Sequence, residues 1–309
     1  MWDFELLAAI RSIEKSMAYV LYRLGMSLGV ALGYLIAALG GAGTLVGFGS
    51  LNKNATSLGP IGAVLGFLAF AFLMSKIRTL WLRTIDLPQI GILTDQSEGQ
   101  LLPTGRALLA YANNRMETTY PSQSALAALE SAANQALNDL SRLHPCPKIE
   151  GQQGPLRDLA NRFAAWFSRQ NLRTVLAWHF LNGHQNPWTS LADALLVTDR
   201  HYLMLVKNRF AAMAIGWISF LVATPLLQKG IEILVSDIPI QMGPWPLIFA
   251  AVFSWAIKAA FFDAIAEDAM LQLFLPLARR EAGTLSSADL SRNSEAFAKI
   301  EAHSRGDAS

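Results

Sequence analysis

Four ionisable residues near the end of the last apolar stretch have the types and spacing for chemistry. Lys258 lies inside Trp255-Ala256-Ile257-Lys258-Ala259-Ala260-Phe261-Phe262-Asp263, and Glu267 and Asp268 follow. On a helix, Asp263 and Glu267 fall one turn apart on one face, with Asp268 about 100° round. Paired carboxylates so placed could bind a cation or relay protons, with Lys258 as a substrate or ion contact. A charge inside a bilayer is costly enough to mark function by default. The plainer reading makes Lys258 a snorkelling or ion-paired lysine, and has the acids meet Lys76, Arg78, Lys207 or Arg209 on neighbouring helix ends.

Other candidates carry less. His179, His184 and Asp193 are separated by intervals of five and nine residues, which match no metal-ligand spacing. The only cysteine, Cys146 in His-Pro-Cys-Pro, has no His and acid pair spaced to activate it and implies no oxidising compartment. The Gly40–Gly49 run looks like a phosphate loop, but no strand precedes it. Asn54-Ala55-Thr56 matches a glycosylation acceptor in a turn too close to the apolar stretches to favour modification. No nucleophile elbow, P-loop, zincin motif or thiol pair is present. The expectation is therefore a non-enzyme with no catalytic residue, no cofactor and no metal.

The elements that position these residues are four apolar stretches, 27–49, 59–75, 209–227 and 244–262. About 20 apolar residues in a row are most economically a spanning helix, because no water in the bilayer core satisfies the backbone. Of 309 residues 52% are hydrophobic and 16% charged, and the charge deficit sits in these stretches. A net charge of +2 with no basic run argues against nucleic acid as a partner. The fold expected is all-α and integral to the membrane, with four transmembrane helices as two hairpins and a cytoplasmic helical insertion. Its parts are an amphipathic interfacial helix (1–25), a first hairpin (26–80), a cytoplasmic helical domain (81–207), a second hairpin (208–263), and a helix extension with a mobile tail (264–309), in which one short helix is expected near Glu295.

Basic residues orient the spans. Arg11, Lys15 and Arg23 precede the first, Lys76, Arg78, Arg83, Arg200, Lys207 and Arg209 bound the central segment, and Arg279, Arg280, Arg292, Lys299 and Arg305 follow the last. The two short turns carry only Lys53 and Lys229. The positive-inside rule then puts both termini and the central segment in the cytoplasm. With no secretory leader at the start of the chain, the first hairpin is expected to act as an uncleaved anchor in a bacterial inner (plasma) membrane.

Residues 2–24 place Leu6, Leu7, Ile10, Ile13, Met17, Val20 and Leu21 within about 140° of a helical wheel. Such a helix suits either the lipid interface or packing on the central domain. The first span is rich in glycine, with Gly29/Gly33 and Gly43/Gly47 at four-residue spacing, a pattern of close helix packing or oligomerisation. Gly59, Gly62 and Gly66 mark the second span as its hairpin partner. Between the hairpins the spacing predicts a helix from Ser122 to His144, an aromatic-rich helix over 156–181 ended by Asn182-Gly183, and a third with Ser190 as N-cap. A short extended hairpin is considered over 87–102.

Several soft motifs cover most of the chain: Ala18-Tyr19-Val20-Leu21-Tyr22-Arg23-Leu24, Pro103-Thr104-Gly105-Arg106 within 90–111, Asn186-Pro187-Trp188-Thr189-Ser190 with Asp193, and 255–263. In these the chain resembles uncharacterised bacterial four-span membrane proteins, which implies architecture and no mechanism. Asn208-Arg209, Trp245-Pro246 and Phe261-Phe262 with Asp268 are also similar to the last two spans of choline transporter-like proteins. There the interval to the Asp differs, so choline transport is not carried over. The functional expectation is a scaffold or subunit of a membrane assembly, in contact with lipid and with copies of itself or other membrane proteins. The alternative is a transporter or channel subunit using Lys258, Asp263 and Glu267.

Overall fold

A computed structural model describes residues 2–50, 55–144, 162–163, 166, 168–183, 186–234, 236 and 245–306. Cys146, His184, the 150–155 loop and Asn54 of the acceptor pattern lie outside them. Among the described residues every regular element is a helix. In chain order these are α1 (Leu6–Lys15), α2 (Met17–Ser50), α3 (Ala55–Lys76), α4 (Arg78–Trp81), a π-helical turn Leu82–Asp86, α5 (Leu87–Ser97), α6 (Arg106–Thr119), α7 (Gln123–Leu143), α8 (Leu172–Leu181), α9 (Pro187–Arg200), α10 (Tyr202–Leu234), α11 (Trp245–Ile257), a second π-helical turn Lys258–Phe262, α12 (Asp263–Glu281), α13 (Ala288–Asn293) and α14 (Glu295–Arg305).

Four stretches, Met17–Phe48, Leu58–Lys76, Tyr202–Leu234 and Trp245–Glu281, are helical, long and apolar enough to cross a bilayer. Ile36, Leu68, Phe72, Leu221 and Leu226 on the first three of them are exposed. Large apolar side chains turned outward along such helices need hydrocarbon around them. The chain is a multi-pass membrane protein.

The chain divides into two compact units, one made of Met1–Tyr19, Leu82–Ile215 and Ala264–Ser309, the other of Val20–Trp81 and Gly216–Asp263. The N-terminal helix therefore groups with the central helices and does not stand as a separate element. Residues 264–309 group with them too.

In the second unit α2 packs along α3 through glycine. A β-carbon on Gly41 would overlap the Gly62 carbonyl, one on Gly66 the Ala37 carbonyl, and one on Gly33 the Phe70 ring. Contact partners climb along α3 as they descend along α2, so the two helices run antiparallel. Tyr34 closes the seam with ring centroids 4.8 Å from Phe67 and 4.7 Å from Phe70. In lipid, where apolar burial supplies no drive, such backbone approach supplies van der Waals contact instead. Gly29, Gly43 and Gly47, by contrast, have nothing within 4 Å of an added β-carbon, so of the four glycines marked for helix packing only Gly33 lies in this seam.

In the first unit the centre is α5, buried without interruption from Leu87 to Asp95. The stretch is helical and not the extended hairpin considered above. The Phe180 ring of α8 lies against Gly91, where a β-carbon would meet it at 2.9 Å. Gly105 precedes α6 at φ 62°, a conformation costly for any residue with a β-carbon. α7 begins where its cap predicts, with Ala125 N–H donating to Ser122 Oγ at 3.3 Å. Its face of Leu126, Leu129, Ala133, Leu137 and Leu140 is buried, while Leu143 is exposed.

Two expectations change here, and one open choice closes. α9 is capped by Asn186, whose Oδ1 accepts from Trp188 N–H at 3.0 Å, and Ser190 is buried inside the helix. The segment after Gly283 is no loose tail: α13 and α14 are formed, Phe297 and Ile300 are fully buried, and Ser294 Oγ donates to Asp139 at 2.7 Å. Finally, α1 turns Ala9 and Ile13 into protein, and Phe4 and Ala9 pack with Ala212, Ala266 and Ala269. Of the two placements open to α1, this is packing on the helical domain.

Candidate functional site

The first unit encloses a neutral cluster of two guanidinium groups and two carboxylates. Arg173 on α8 donates to Asp86 Oδ2 at 2.7 Å and to Glu267 Oε1 at 3.0 Å. Arg209 on α10 holds the other Glu267 oxygen at 3.0 Å, and also donates to Asn171 Oδ1 at 3.1 Å and Thr174 Oγ1 at 2.7 Å. Arg209 and Glu267 side chains are 2% and 9% exposed, Arg173 28%. Burying four charges is tolerable because each carboxylate has a guanidinium and each guanidinium a second acceptor. The cluster joins Asp86, from the turn after α4, to α8, α10 and α12.

Two further polar groups stabilise the same unit. Asp95, buried in α5, accepts from Tyr111 Oη at 2.7 Å and from both Nε and Nη2 of Arg115 at 2.9 and 3.0 Å. Burial and the Asp95 carboxylate push the Tyr111 hydroxyl up to about 12. His179 Nδ1 lies 3.1 Å from Ser190 Oγ, with the Tyr120 ring edge-on at 5.2 Å. Burial lowers the His179 pKa to about 4, so the ring is neutral at physiological pH. The pair has the atoms of a nucleophile and base, but both residues are buried, out of reach of a substrate from solution.

In the second unit Lys258 Nζ pairs with Asp263 Oδ1 at 2.7 Å and sits 4.8 Å from the centroid of Trp217. Five residues separate them. On an α-helix that interval is about 140° round the axis, but the Lys258–Phe262 turn is π-helical, and its i→i+5 repeat brings them to one side. Gly216 of α10 faces the pair, and a β-carbon there would make ordinary van der Waals contact, 3.6 Å from Asp263 Oδ1 and 3.7 Å from Lys258 Cε.

The four residues singled out by sequence are therefore not one constellation. Asp263 is held by Lys258, Glu267 by Arg173 and Arg209, and Asp268 accepts from Ser12 at 3.1 Å and Gln272 at 2.7 Å. Of the basic partners considered for the acids, Arg209 meets Glu267, while Lys207 pairs with Asp3. The sequence reading missed Asp86 and Arg173. The one signal for Arg173 was a charge inside the apolar run Leu172-Arg173-Thr174-Val175-Leu176. Asp193 is separate from His179: burial raises its pKa, and it bonds to the backbone of Gly283. Among the described residues no group of three His, Cys, Asp or Glu could hold a metal.

No family model, curated protein or solved structure matches the chain.

Proposed function

We propose that this protein is a non-enzymatic scaffold or subunit of a membrane assembly, with two membrane hairpins that carry a cytoplasmic helical module. The observation that supports this most is the engagement of the polar residues of the second hairpin. Lys258, Asp263 and Glu267 all have in-chain ionic partners, so none is presented to a passing ion or substrate. A second support is the face of α2 that the seam leaves unused. Gly25, Gly29, Gly40, Gly43 and Gly47 fall within about 60° of one another round the helix, and all are open. Such a face lets a second helix approach closely. Basic residues at both termini and flanking the central segment favour a cytoplasmic placement of the module in a bacterial inner membrane.

The test is Gly29→Leu and Gly43→Leu in the full chain, read by native mass spectrometry and in-membrane crosslinking. Loss of the assembled species with unchanged helicity supports the scaffold. A wild-type protein that stays monomeric and recovers no crosslinked partner overturns it. The transport alternative rests on Lys258, buried within a π-helical turn, a geometry often found at functional positions. It fails if Lys258→Ala and Asp263→Ala leave a measured flux or host phenotype intact.

A further inference from the structure

We propose that Trp2 is a lipid-interface anchor: the segment before α1 is fastened to the base of α10 and holds the indole in the headgroup layer of the bilayer. The fastening is specific. Asp3 N–H donates to Asn208 Oδ1 at 2.7 Å, Asn208 Nδ2 donates back to Asp3 Oδ2 at 2.8 Å, and Lys207 Nζ pairs with the same carboxylate oxygen at 2.6 Å. Phe4 enters the protein beside Ala9, Ala212, Ala266 and Ala269. Trp2 stacks on Phe4 with centroids 5.8 Å apart, so the indole is held in place while 47% of the residue stays exposed.

The occupant of that exposed side follows from α10. Leu203 and Phe210 are 57% and 58% exposed, and they flank Lys207 at i−4 and i+3, on one face of the helix. Tyr202–Leu234 is long and apolar enough to cross a bilayer, so the apolar face at its base continues the lipid-facing surface of a span. Asp3 ties Trp2 to Lys207 in the middle of that face. An indole one residue from the carboxylate that pairs with a lysine, on a helix face with Leu and Phe to either side of that lysine, is the chemistry that settles at a headgroup boundary: the ring takes the half-apolar layer and the ammonium reaches water or phosphate. α1 thus differs from a free interfacial helix, since Ala9 and Ile13 are turned into protein while Trp2 and the exposed Leu7 at its leading end meet lipid.

The experiment uses the full chain with Cys146→Ser, reconstituted in nanodiscs. Trp2→Cys, Phe210→Cys and Lys299→Cys are spin-labelled singly, and collision with oxygen is compared with collision with a water-soluble nickel chelate. The expected result is an oxygen-to-nickel ratio at position 2 close to that at 210 and well above that at 299, which lies on the exposed side of α14. A ratio at 2 equal to that at 299 overturns the proposal, as does protection from both reagents, which would mean that protein covers the site. As a check that keeps an aromatic ring in place, Trp2→Phe should remove a component of tryptophan fluorescence quenched by brominated lipid. Unchanged quenching counts against the anchor.

Discussion

Arg209 and Glu267 meet at 3.0 Å with both side chains almost wholly withdrawn from the surface. They come from α10 and α12, and Arg173 adds a second guanidinium to the same carboxylate. Removing one partner of a buried pair leaves an uncompensated charge at a cost of about 3 to 5 kcal/mol. Arg209→Met should reach that range, because Asn171 and Thr174 lose their donor too. Arg173→Met should cost less, since Arg173 is 28% exposed and its loss opens a path for water to Asp86 and Glu267, which are 3% and 9% exposed behind it. Denaturant unfolding in mild detergent, followed by circular dichroism, ranks the two. Equal losses would show that solvent access does not set the cost.

Lys258 and Asp263 should be dispensable together and not singly. Lys258→Met leaves a carboxylate without its ammonium, and Asp263→Asn leaves the ammonium with the Trp217 ring alone among its ionic and ring partners. Each single change should lower the melting temperature in detergent, whereas the double change should recover most of the loss, as replacement of buried pairs by neutral groups often does. A double variant as unstable as the sum of the singles would show that the two residues act independently.

The glycines of α2 and α3 should separate into two classes. Gly41→Leu on α2 and Gly66→Leu on α3 place side chains where the Gly62 and Ala37 carbonyls stand, and should abolish accumulation of folded protein. Gly43→Leu meets open space and should fold normally. Folded yield by size-exclusion chromatography, measured side by side, checks the contrast.

His179 gives the helical domain an acid-sensitive term. Its pKa falls from 6.5 to about 4 on folding because burial disfavours the charged ring. The unfolded chain therefore binds the proton more readily than the folded one. Stability is complete above about 6.5 and is lost as pH falls towards 4, on the order of 2 to 3 kcal/mol across the window. In thermal melts from pH 7.5 to 4, the stability gap between the wild-type protein and His179→Gln should narrow with acid. A constant gap would mean that the ring titrates equally in both states.

The C-terminal helix should contribute to stability. Phe297→Ala empties a fully buried site and should cost about 3 to 5 kcal/mol, read as an earlier unfolding transition with no change in membrane insertion.

Legibility in the sequence followed the range of the interactions. α7 could be bounded because its signals are local: Ser122 caps it, and its leucines share a face. α5 could not, because a helix buried on every side shows no periodicity, and alternating Ile90 and Ile92 then resemble a strand. Arg173 was missed for a related reason: its partners Asp86 and Glu267 come from distant segments. Phe297 and Ile300, at i and i+3, were the sign that the last helix has something to bury, but the small polar residues around them obscured it. The Lys258–Asp263 pair was considered only in general terms, because an interval of five is not a face until the helix widens.

That widened turn also confines where the chain can be shortened. A π-helical turn holds one residue more than the α-helical turn it replaces. Removing Ala259 or Ala260 would let 258–262 tighten to ordinary winding while Glu267 keeps its azimuth, and Lys258 and Asp263 would become an i,i+4 pair on one face. The same deletion made in α11, say at Ala251, would turn everything after it by about 100° and carry Glu267 away from Arg173 and Arg209. The turn works as a spare link, and a deletion scan through 245–281 should find its tolerated positions there.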